Sequence, residues 1–366
     1  MALLFAARIF AAEPDGPYVL LHDGRLESWS VEVVDGMARK RVQPLDAYTT
    51  ITVAAVGRFP AFPVKLRAHA PPALDAVSVA VKSPIFVVAD THGEFELLAE
   101  MLQRHGVVGP RLEWKFGRGQ LILLGDVFDR GPNQTEILWL LYELEAQAQK
   151  AGGGVYFVLG NHETMVLRGD LRYLHVKYRE AMQVFGIASY ERLFDAKSVL
   201  GQWIRSRATV MKINDQLFLH GGISRALLDQ KFTLAAANRT MRKALDAQLL
   251  LEDKEQERAD FLLGGLGPLW YRGYFAKPDD YTGATPADVD LTLDAFKVSR
   301  IFVGHTTVPT VTPLFGGKVI AVQVYPKRDE AGQVSFESLL IRDGKILRAR
   351  FDGGTEPLTE PLTEPY

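Results

Sequence analysis

The sequence predicts an α/β fold with a small β-rich part at its N-terminal end, and three observations predict it. From residue 84 onward, short apolar runs alternate with amphipathic helical periods. Residues 18 to 82 instead carry β-branched runs set apart by turn residues. Five of the later apolar runs end in Asp, His or Asn, mostly beside glycine. A length of 366 residues allows one large domain or a large domain with a smaller companion, at roughly 100 to 200 residues per domain.

With 47% hydrophobic and 23% charged residues, the composition is that of a folded chain. The absence of cysteine excludes a disulfide scaffold, a thiolate zinc site and a cysteine nucleophile together. Lys and Arg number 42 against 44 Asp and Glu, so the basic footprint of a nucleic-acid binder is missing and no such partner is expected. No apolar run reaches the ~18 residues of a membrane span. Ala2 to Ala12 is apolar apart from Arg8. It reads either as a signal-peptide remnant, implying a periplasmic or secreted protein, or as an ordinary buried strand or helix of a cytoplasmic one, since a basic leader is absent. The sequence carries no signal for oligomeric state.

Taken in order, Tyr18 to Leu21 and Arg25 to Val31 flank His22-Asp23-Gly24, and Val31 to Val34 is followed by Asp35-Gly36. Asp-Gly between such runs predicts hairpins. Thr49 to Val56 adds a third β-branched run, and Pro60, Pro63, Pro71 and Pro72 then interrupt regular structure. Residues 1–82 are therefore expected to form an accessory β-rich subdomain, and 83–352 the main α/β domain. In the latter, Ile85 to Ala89 reads as a buried strand, followed by Phe95, Leu98 and Leu102 at helical spacing. Leu121 to Leu124 is a second strand, followed by Ile137, Leu140, Leu141 and Leu144 on one helix face and a stop at Gly152 to Gly154. Val155 to Leu159 is a third. Strand, helix and strand in succession predict a largely parallel sheet whose strand ends share one rim. Lys318 to Phe351 reads as antiparallel strands with a hairpin at Asp343-Gly344. Thr355 to Tyr366 repeats Thr-Glu-Pro three times, which forbids a helix or a central strand, so 353–366 is expected to be a flexible tail.

The strand ends carry the chemistry. They run into Asp90-Thr91-His92-Gly93, Gly125-Asp126-Val127-Phe128-Asp129-Arg130-Gly131, Gly160-Asn161-His162-Glu163, His220-Gly221-Gly222 and Gly304-His305-Thr306. In open α/β sheets, ligands bind outside the carboxyl ends of strands. Singly each signal is weak, because a lone histidine at a strand end is more often a hydrogen-bonded structural residue than a metal ligand, by about three to one. Together, His92, His162, His220 and His305 all stand at strand ends, whereas His22, His69, His105 and His175 do not and are read as structural or surface residues.

Imidazole and carboxylate without thiolate suit Mn, Zn, Fe or Ni, and admit Ca or Mg. Six such ligands are too many for one tetrahedral ion and suit two ions that share a ligand. Two divalent ions with Asp90, Asp126 and a bridging hydroxide leave about one net positive charge; Arg130 and a second arginine raise it to about three, facing a phosphate dianion.

These motifs, in this order, resemble the calcineurin-like metallophosphoesterases. The Asp-Arg-Gly and Asn-His-Glu forms are similar to the phosphoprotein phosphatase branch. Gly169-Asp170-Leu171-Arg172-Tyr173 and Pro268-Leu269-Trp270-Tyr271-Arg272-Gly273 are similar to its bacterial, Shewanella-like members. The resemblance spans residues 84 to about 325. It implies a four-layer α/β/β/α sandwich, two central sheets flanked by helices. It implies that Asp90, His92 and Asp126 bind a first metal, and that Asp126 bridges to a second completed by Asn161, His220 and His305. Arg130 and Arg272, with Asn161, would hold the phosphate, and His162 would donate a proton, oriented by Asp129. Leu159 departs from the pattern, standing where many eukaryotic members carry arginine.

The expected activity is hydrolysis of a phosphomonoester by direct attack of a metal-bridging hydroxide, formed at neutral pH because metal binding lowers the pKa of water to about 7. The expected substrate is a phosphorylated protein, at phosphotyrosine or at phosphoserine and phosphothreonine. Dinucleoside polyphosphates or another small phosphoester are the alternative. A non-enzymatic metal-binding scaffold is disfavoured by the intact ligands and arginines.

Overall fold

The computed structural model of the chain describes residues 13–46, 48–67, 73, 78–246, 249–275 and 283–359. The first elements follow from the Asp-Gly pairs. Asp23 and Gly24 (φ 47° and 76°) join β1 (Asp15–His22) to β2 (Arg25–Val34), and Asp35 and Gly36 (φ 53° and 73°) join β2 to β3 (Met37–Leu45). Two left-handed residues in a two-residue loop match the twist of the strands they connect. A second antiparallel pair, β4 (Thr50–Val53) and β5 (Phe62–Lys65), follows, and then a short β6 (Ser78–Val79).

The next strands, β7 (Ile85–Val88), β8 (Gln120–Leu123) and β9 (Gly154–Phe157), run parallel, linked by helices α1 (Phe95–Arg104) and α2 (Gln134–Lys150). They are apolar on both faces because both are covered, which is why no alternation marks them in the sequence. Helices α3 (Asn161–Leu167), α4 (Val176–Phe185) and α5 (Val199–Arg205), with a 3-10 turn at Tyr190–Phe194, lead to β10 (Val210–Ile213) and β11 (Gln216–Leu219). Helices α6 (Arg225–Asp229), α7 (Leu234–Ala244), α8 (Asp253–Leu263) and α9 (Pro286–Phe296) precede β12 (Arg300–Val303), β13 (Thr312–Leu314) and β14 (Val319–Ala321). The chain closes with β15 (Lys327–Arg328), β16 (Val334–Ser335), β17 (Glu337–Arg342), β18 (Lys345–Arg350) and β19 (Thr355–Pro357).

Two six-stranded sheets result, ordered β19-β18-β17-β7-β8-β9 and β13-β14-β12-β11-β10-β6. Helix α2 packs on β9 of the first and α7 on β10 of the second, giving the helix, sheet, sheet, helix layering expected. Both sheets contribute to one continuous hydrophobic core. Among the described residues no helix is long and apolar enough to cross a membrane.

The structure corrects three details. Val319–Ala321 was expected in an antiparallel set, yet β14 pairs parallel with β12, and only β13 is antiparallel to it. Thr355–Pro357 is not tail but an edge strand on β18. Proline is tolerated there because an edge strand can spare an N–H. The N-terminal region is β-rich, but β6 belongs to the second large sheet, and β1 is packed into the main core rather than standing apart. Trp139 Nε1 donates to the Pro17 carbonyl at 2.7 Å, and the Tyr18 ring meets Phe185, Tyr190 and Phe194 edge-on. The apolar start Ala2 to Ala12, His69 and the last two Thr-Glu-Pro repeats lie wholly or partly outside the described residues.

Candidate metal centre

Five strand ends, three from the first sheet and two from the second, meet at one rim. Asp90 and His92 follow β7, Asp126 to Arg130 follow β8, Asn161 and His162 open α3 after β9, His220 follows β11, and His305 follows β12. The backbone is unusual there. His92, Asp126, Asp129, Arg130 and His305 all have positive φ, between 42° and 69°. Such conformations cost roughly 1–3 kcal/mol each for non-glycine residues and concentrate at functional sites. Two glycines are required by close approach. A Cβ on Gly160 would lie 2.2 Å from Asp126 Oδ1, and one on Gly304 would lie 2.7 Å from Asp90 Oδ1.

Asp126 is the hub. Its Oδ2 stands 3.2 Å from His220 Nε2, 3.8 Å from His92 Nε2 and 3.9 Å from His162 Nε2. Two groups of potential ligand atoms lie within 4.8 Å of one another, His92 with Asp126 and His162, and Asp126 with His220 and His305, so Asp126 is shared. Asp90 flanks both: its Oδ2 is 4.0 Å from His92 Nε2, its Oδ1 is 3.8 Å from His220 Nδ1 and accepts from the His305 amide at 3.0 Å. Asn161 Oδ1 lies 2.9 Å from His220 Nε2. The remote ring nitrogens are tied down. His92 Nδ1 donates to the Phe128 carbonyl at 2.8 Å and His220 Nδ1 to the Leu124 carbonyl at 2.6 Å. Those bonds direct both Nε2 atoms toward the carboxylates, the arrangement that orients imidazole for a metal. His305 Nε2 is buried with no hydrogen-bond partner among the described residues.

The Nδ1 partners set His162 apart, since it is held by the Asp129 carboxylate at 2.6 Å where His92 and His220 have backbone carbonyls. Burial lowers His92 to about 3 and His305 to about 2, so both imidazoles are neutral and able to ligate. At His162 burial is outweighed by Asp126 and by the Asp129 hydrogen bond, which raise its pKa and favour the imidazolium. His220 is pushed up to about 9, against burial, by Asp126 and Asp90. Burial lifts Asp90 to about 6, with Asp126 adding to the rise, while the histidines hold Asp126 well below the usual carboxylate range despite its burial. Two buried carboxylates call for positive charge nearby, and the oxygen and imidazole donors fit divalent ions.

The two arginines reach the same rim from outside. Arg130 Nη2 lies 3.5 Å from His162 Nε2, and Arg272 Nη1 donates to the His305 carbonyl and to Thr306 Oγ1 at 3.2 and 3.0 Å. Both are exposed, whereas the candidate ligands are buried. All ten residues singled out from the motifs are therefore brought to one place. Of the other histidines, His22 does stand at a strand end, closing β1 at an exposed hairpin 3.6 Å from Glu27, while His105 bonds the Arg350 carbonyl and His175 caps α4.

Several contributors have no role in the motif reading. Glu163, fully buried, accepts from the amides of Gly160, Asp126, Val127 and Phe128 at 2.7 to 3.3 Å and so splints two motif loops together. Burial, then Asp126, raises it to about 7. Its position three residues into α3, reaching back to the Gly160 amide, is half of a capping box and was a usable signal. Gln323 Oε1 accepts the Asp90 amide at 2.8 Å from 233 residues away, and Gln134 Oε1 the Asp129 amide at 2.7 Å. Tyr173 and Tyr325 flank the Arg130 guanidinium at 6.0 and 5.8 Å. Of these four only Tyr173 stands in a quoted motif, and nothing local gives any of them its partner.

A two-sheet sandwich whose strand ends gather this donor set beside two arginines defines a metal-dependent phosphoesterase. The chain belongs to the calcineurin-like phosphoesterase family, whose sequence model matches residues 83–309. The cold-active protein-tyrosine phosphatase of a psychrophilic Shewanella species superposes with a TM-score of 0.82 at 34% identity, over 95% of this chain and 100% of that one. Shewanella-like protein phosphatase 1 of Plasmodium berghei is 26% identical over 229 residues, 62% of each chain. An uncharacterized Schizosaccharomyces pombe protein is 29% identical over 241 residues, 63% of this chain and 69% of its own. A Saccharomyces cerevisiae serine/threonine phosphatase shares the fold at a TM-score of 0.53 and 21% identity. The chain is a phosphoesterase, and its substrates are phosphorylated.

Proposed function

We propose that the chain is a two-metal phosphomonoester hydrolase of phosphorylated proteins, with phosphotyrosine its first substrate. The observation that carries this reading is the pairing of His162 with Asp129 at 2.6 Å, with His162 Nε2 between the Asp126 carboxylate and Arg130. Asp90, His92 and Asp126 would hold the first ion, and Asp126, Asn161, His220 and His305 the second. Asp90 is preferred to His162 as a ligand because its Oδ2 stands 4.0 Å from His92 Nε2 and its Oδ1 3.8 Å from His220, whereas His162 is paired through Nδ1 with the Asp129 carboxylate. When bound, the ions supply Lewis-acid activation of water and neutralise charge on the phosphoryl oxygens. Mn, Zn, Fe or Ni suit the donors, with Ca or Mg as harder substitutes.

The chain's own residues do the rest. Arg130 beside His162 and Arg272 beside His305 would hold phosphate oxygens with fixed donors, assisted by the Asn161 amide. His162 would pass its Nε2 proton to the departing oxygen, and Asp129 would keep the ring oriented through Nδ1 and stabilise its charged form. Support for a protein substrate comes from the Shewanella phosphatase, which is described as acting on protein tyrosine and matches over its full length.

A substrate panel on chain reconstituted with single metals tests this, using phosphotyrosyl, phosphoseryl and phosphothreonyl peptides, p-nitrophenyl phosphate and diadenosine tetraphosphate. Metal-dependent turnover led by the phosphotyrosyl peptide is expected. Turnover of diadenosine tetraphosphate with none on phosphopeptides would reassign the enzyme to dinucleoside polyphosphates. No metal-dependent turnover of any member would leave only a metal-binding scaffold.

A further inference from the structure

We infer that Gln134 is a positioning residue for the Asp129–His162 pair and that the N-terminal strand β1 holds it in place through Tyr190 and Tyr18; this rests on the roles proposed for Asp129 and His162. Asp129 and Arg130 are consecutive residues with φ of 69° and 67°. A backbone in that region persists only where its surroundings hold it. The Arg130 amide donates to the Tyr173 carbonyl at 3.0 Å, and the Asp129 amide to Gln134 Oε1 at 2.7 Å.

From Gln134 the hydrogen bonds continue away from the site. Gln134 Nε2 donates to the Tyr190 hydroxyl at 2.9 Å, that hydroxyl lies 2.9 Å from Tyr18 Oη, and Tyr18 donates to Asp15 Oδ2 at 2.6 Å. The direction is set at both ends, since an amide N–H can only donate and a carboxylate accepts. Tyr190 must therefore donate to Tyr18, and each link carries one proton. The four side chains are at most 4% exposed. A second brace grips the turn between Arg130 and Gln134. Tyr178 Oη donates to the Pro132 carbonyl at 2.6 Å and accepts from the Gln134 amide at 2.9 Å, while Lys177 Nζ donates to the same carbonyl at 2.8 Å and lies 3.5 Å from Asp15 Oδ1. Every hydroxyl and amide between Asp15 and Asp129 has a partner in this buried chain, and a break in it would leave one unpaired. β1 lies outside the 83–309 segment that the family model matches, so this support comes from the N-terminal sheet, and its use is to hold the carboxylate that orients His162.

The test compares kcat and KM on p-nitrophenyl phosphate and phenyl phosphate, in metal-loaded full-length chain with metal content measured, for Gln134→Leu, Tyr190→Phe, Tyr18→Phe and Asp129→Asn. Phenoxide departs poorly without a proton, so a displaced Asp129 slows phenyl phosphate selectively. Gln134→Leu is expected to lower kcat about tenfold on phenyl phosphate and about twofold on p-nitrophenyl phosphate, with KM and metal content unchanged. The two Tyr→Phe variants should show the same split more weakly, and Gln134→Leu should add no loss in an Asp129→Asn chain. Equal losses on both substrates, or full additivity with Asp129→Asn, overturn the inference. If Asp129→Asn shows the split and Gln134→Leu does not, the inference alone fails. If Asp129→Asn shows none, the role of Asp129 fails and takes the inference with it. Should Gln134→Leu not fold, the Tyr190→Phe and Tyr18→Phe splits decide.

Discussion

Asp129 Oδ2 and His162 Nδ1 are 2.6 Å apart, both buried, and the opposite nitrogen of the same ring stands 3.9 Å from Asp126 Oδ2. One histidine thus joins a carboxylate that orients it to the centre of the candidate metal cluster. The short bond does two things: it selects the ring orientation, and it favours the protonated ring, which the proposed transfer to a departing alkoxide or phenoxide requires.

Replacing His162 by Asn removes that proton and leaves the candidate ligands untouched. The expected loss in kcat is about 10²- to 10⁴-fold on phenyl phosphate, smaller on p-nitrophenyl phosphate, with bound metal unchanged. Steady-state kinetics beside elemental analysis checks it. Wild-type turnover of phenyl phosphate by the variant would end the assignment.

Asp126 faces three imidazoles through one oxygen, so its loss should empty both proposed ion sites rather than one. Asp126→Asn is expected to abolish activity and to bind neither ion in equilibrium dialysis. Retention of one tightly bound ion would show that the carboxylate is not shared.

Gly304 is a steric requirement rather than a flexible joint, because its neighbour is the Asp90 carboxylate. A methyl there would sit 2.7 Å from Oδ1, which also accepts the His305 amide. Gly304→Ala should therefore displace a proposed ligand, weakening metal affinity about 10- to 100-fold while the thermal midpoint of metal-free protein moves little. A metal titration with unaltered affinity would contradict this.

Away from the site, Glu145 supplies a pH test of stability. It is buried and accepts from Arg207 Nη1 at 2.6 Å, Trp203 Nε1 at 2.9 Å and Arg67 Nη1. Burial opposes its charge, but Arg207 and Arg67 outweigh burial and hold its carboxyl below the ordinary 4.5. A carboxyl with a folded pKa below its unfolded one contributes stability that is present above the unfolded value and lost as pH falls through the folded value. Glu145→Gln should cost about 3 kcal/mol in urea unfolding at pH 7, and the gap to the parent chain should narrow below about pH 4. An equal gap at both pH values would mean that the charge on Glu145 contributes nothing.

Much of this protein is local and therefore legible in its sequence. The Asp-Gly pairs at 23–24, 35–36 and 343–344 adopt left-handed conformations at both residues, a property of the dipeptide itself. The five strand ends were readable because a short apolar run followed at once by Gly, Asp or His places a polar group at a rim wherever the strand is buried. Tertiary structure alone decided that Asp126 presents one oxygen to three rings, that Gln323 holds Asp90, that Gln134 holds Asp129, and that Thr355–Pro357 completes a sheet whose centre begins at Ile85. The physical reason is separation along the chain for Gln323 and for the edge strand, and side-chain freedom for Gln134, only five residues from Asp129. A glutamine amide has no preferred partner until folding brings a particular N–H to it, and an edge strand exists only when another strand presents a free edge, so neither leaves a periodicity or a spacing to be read.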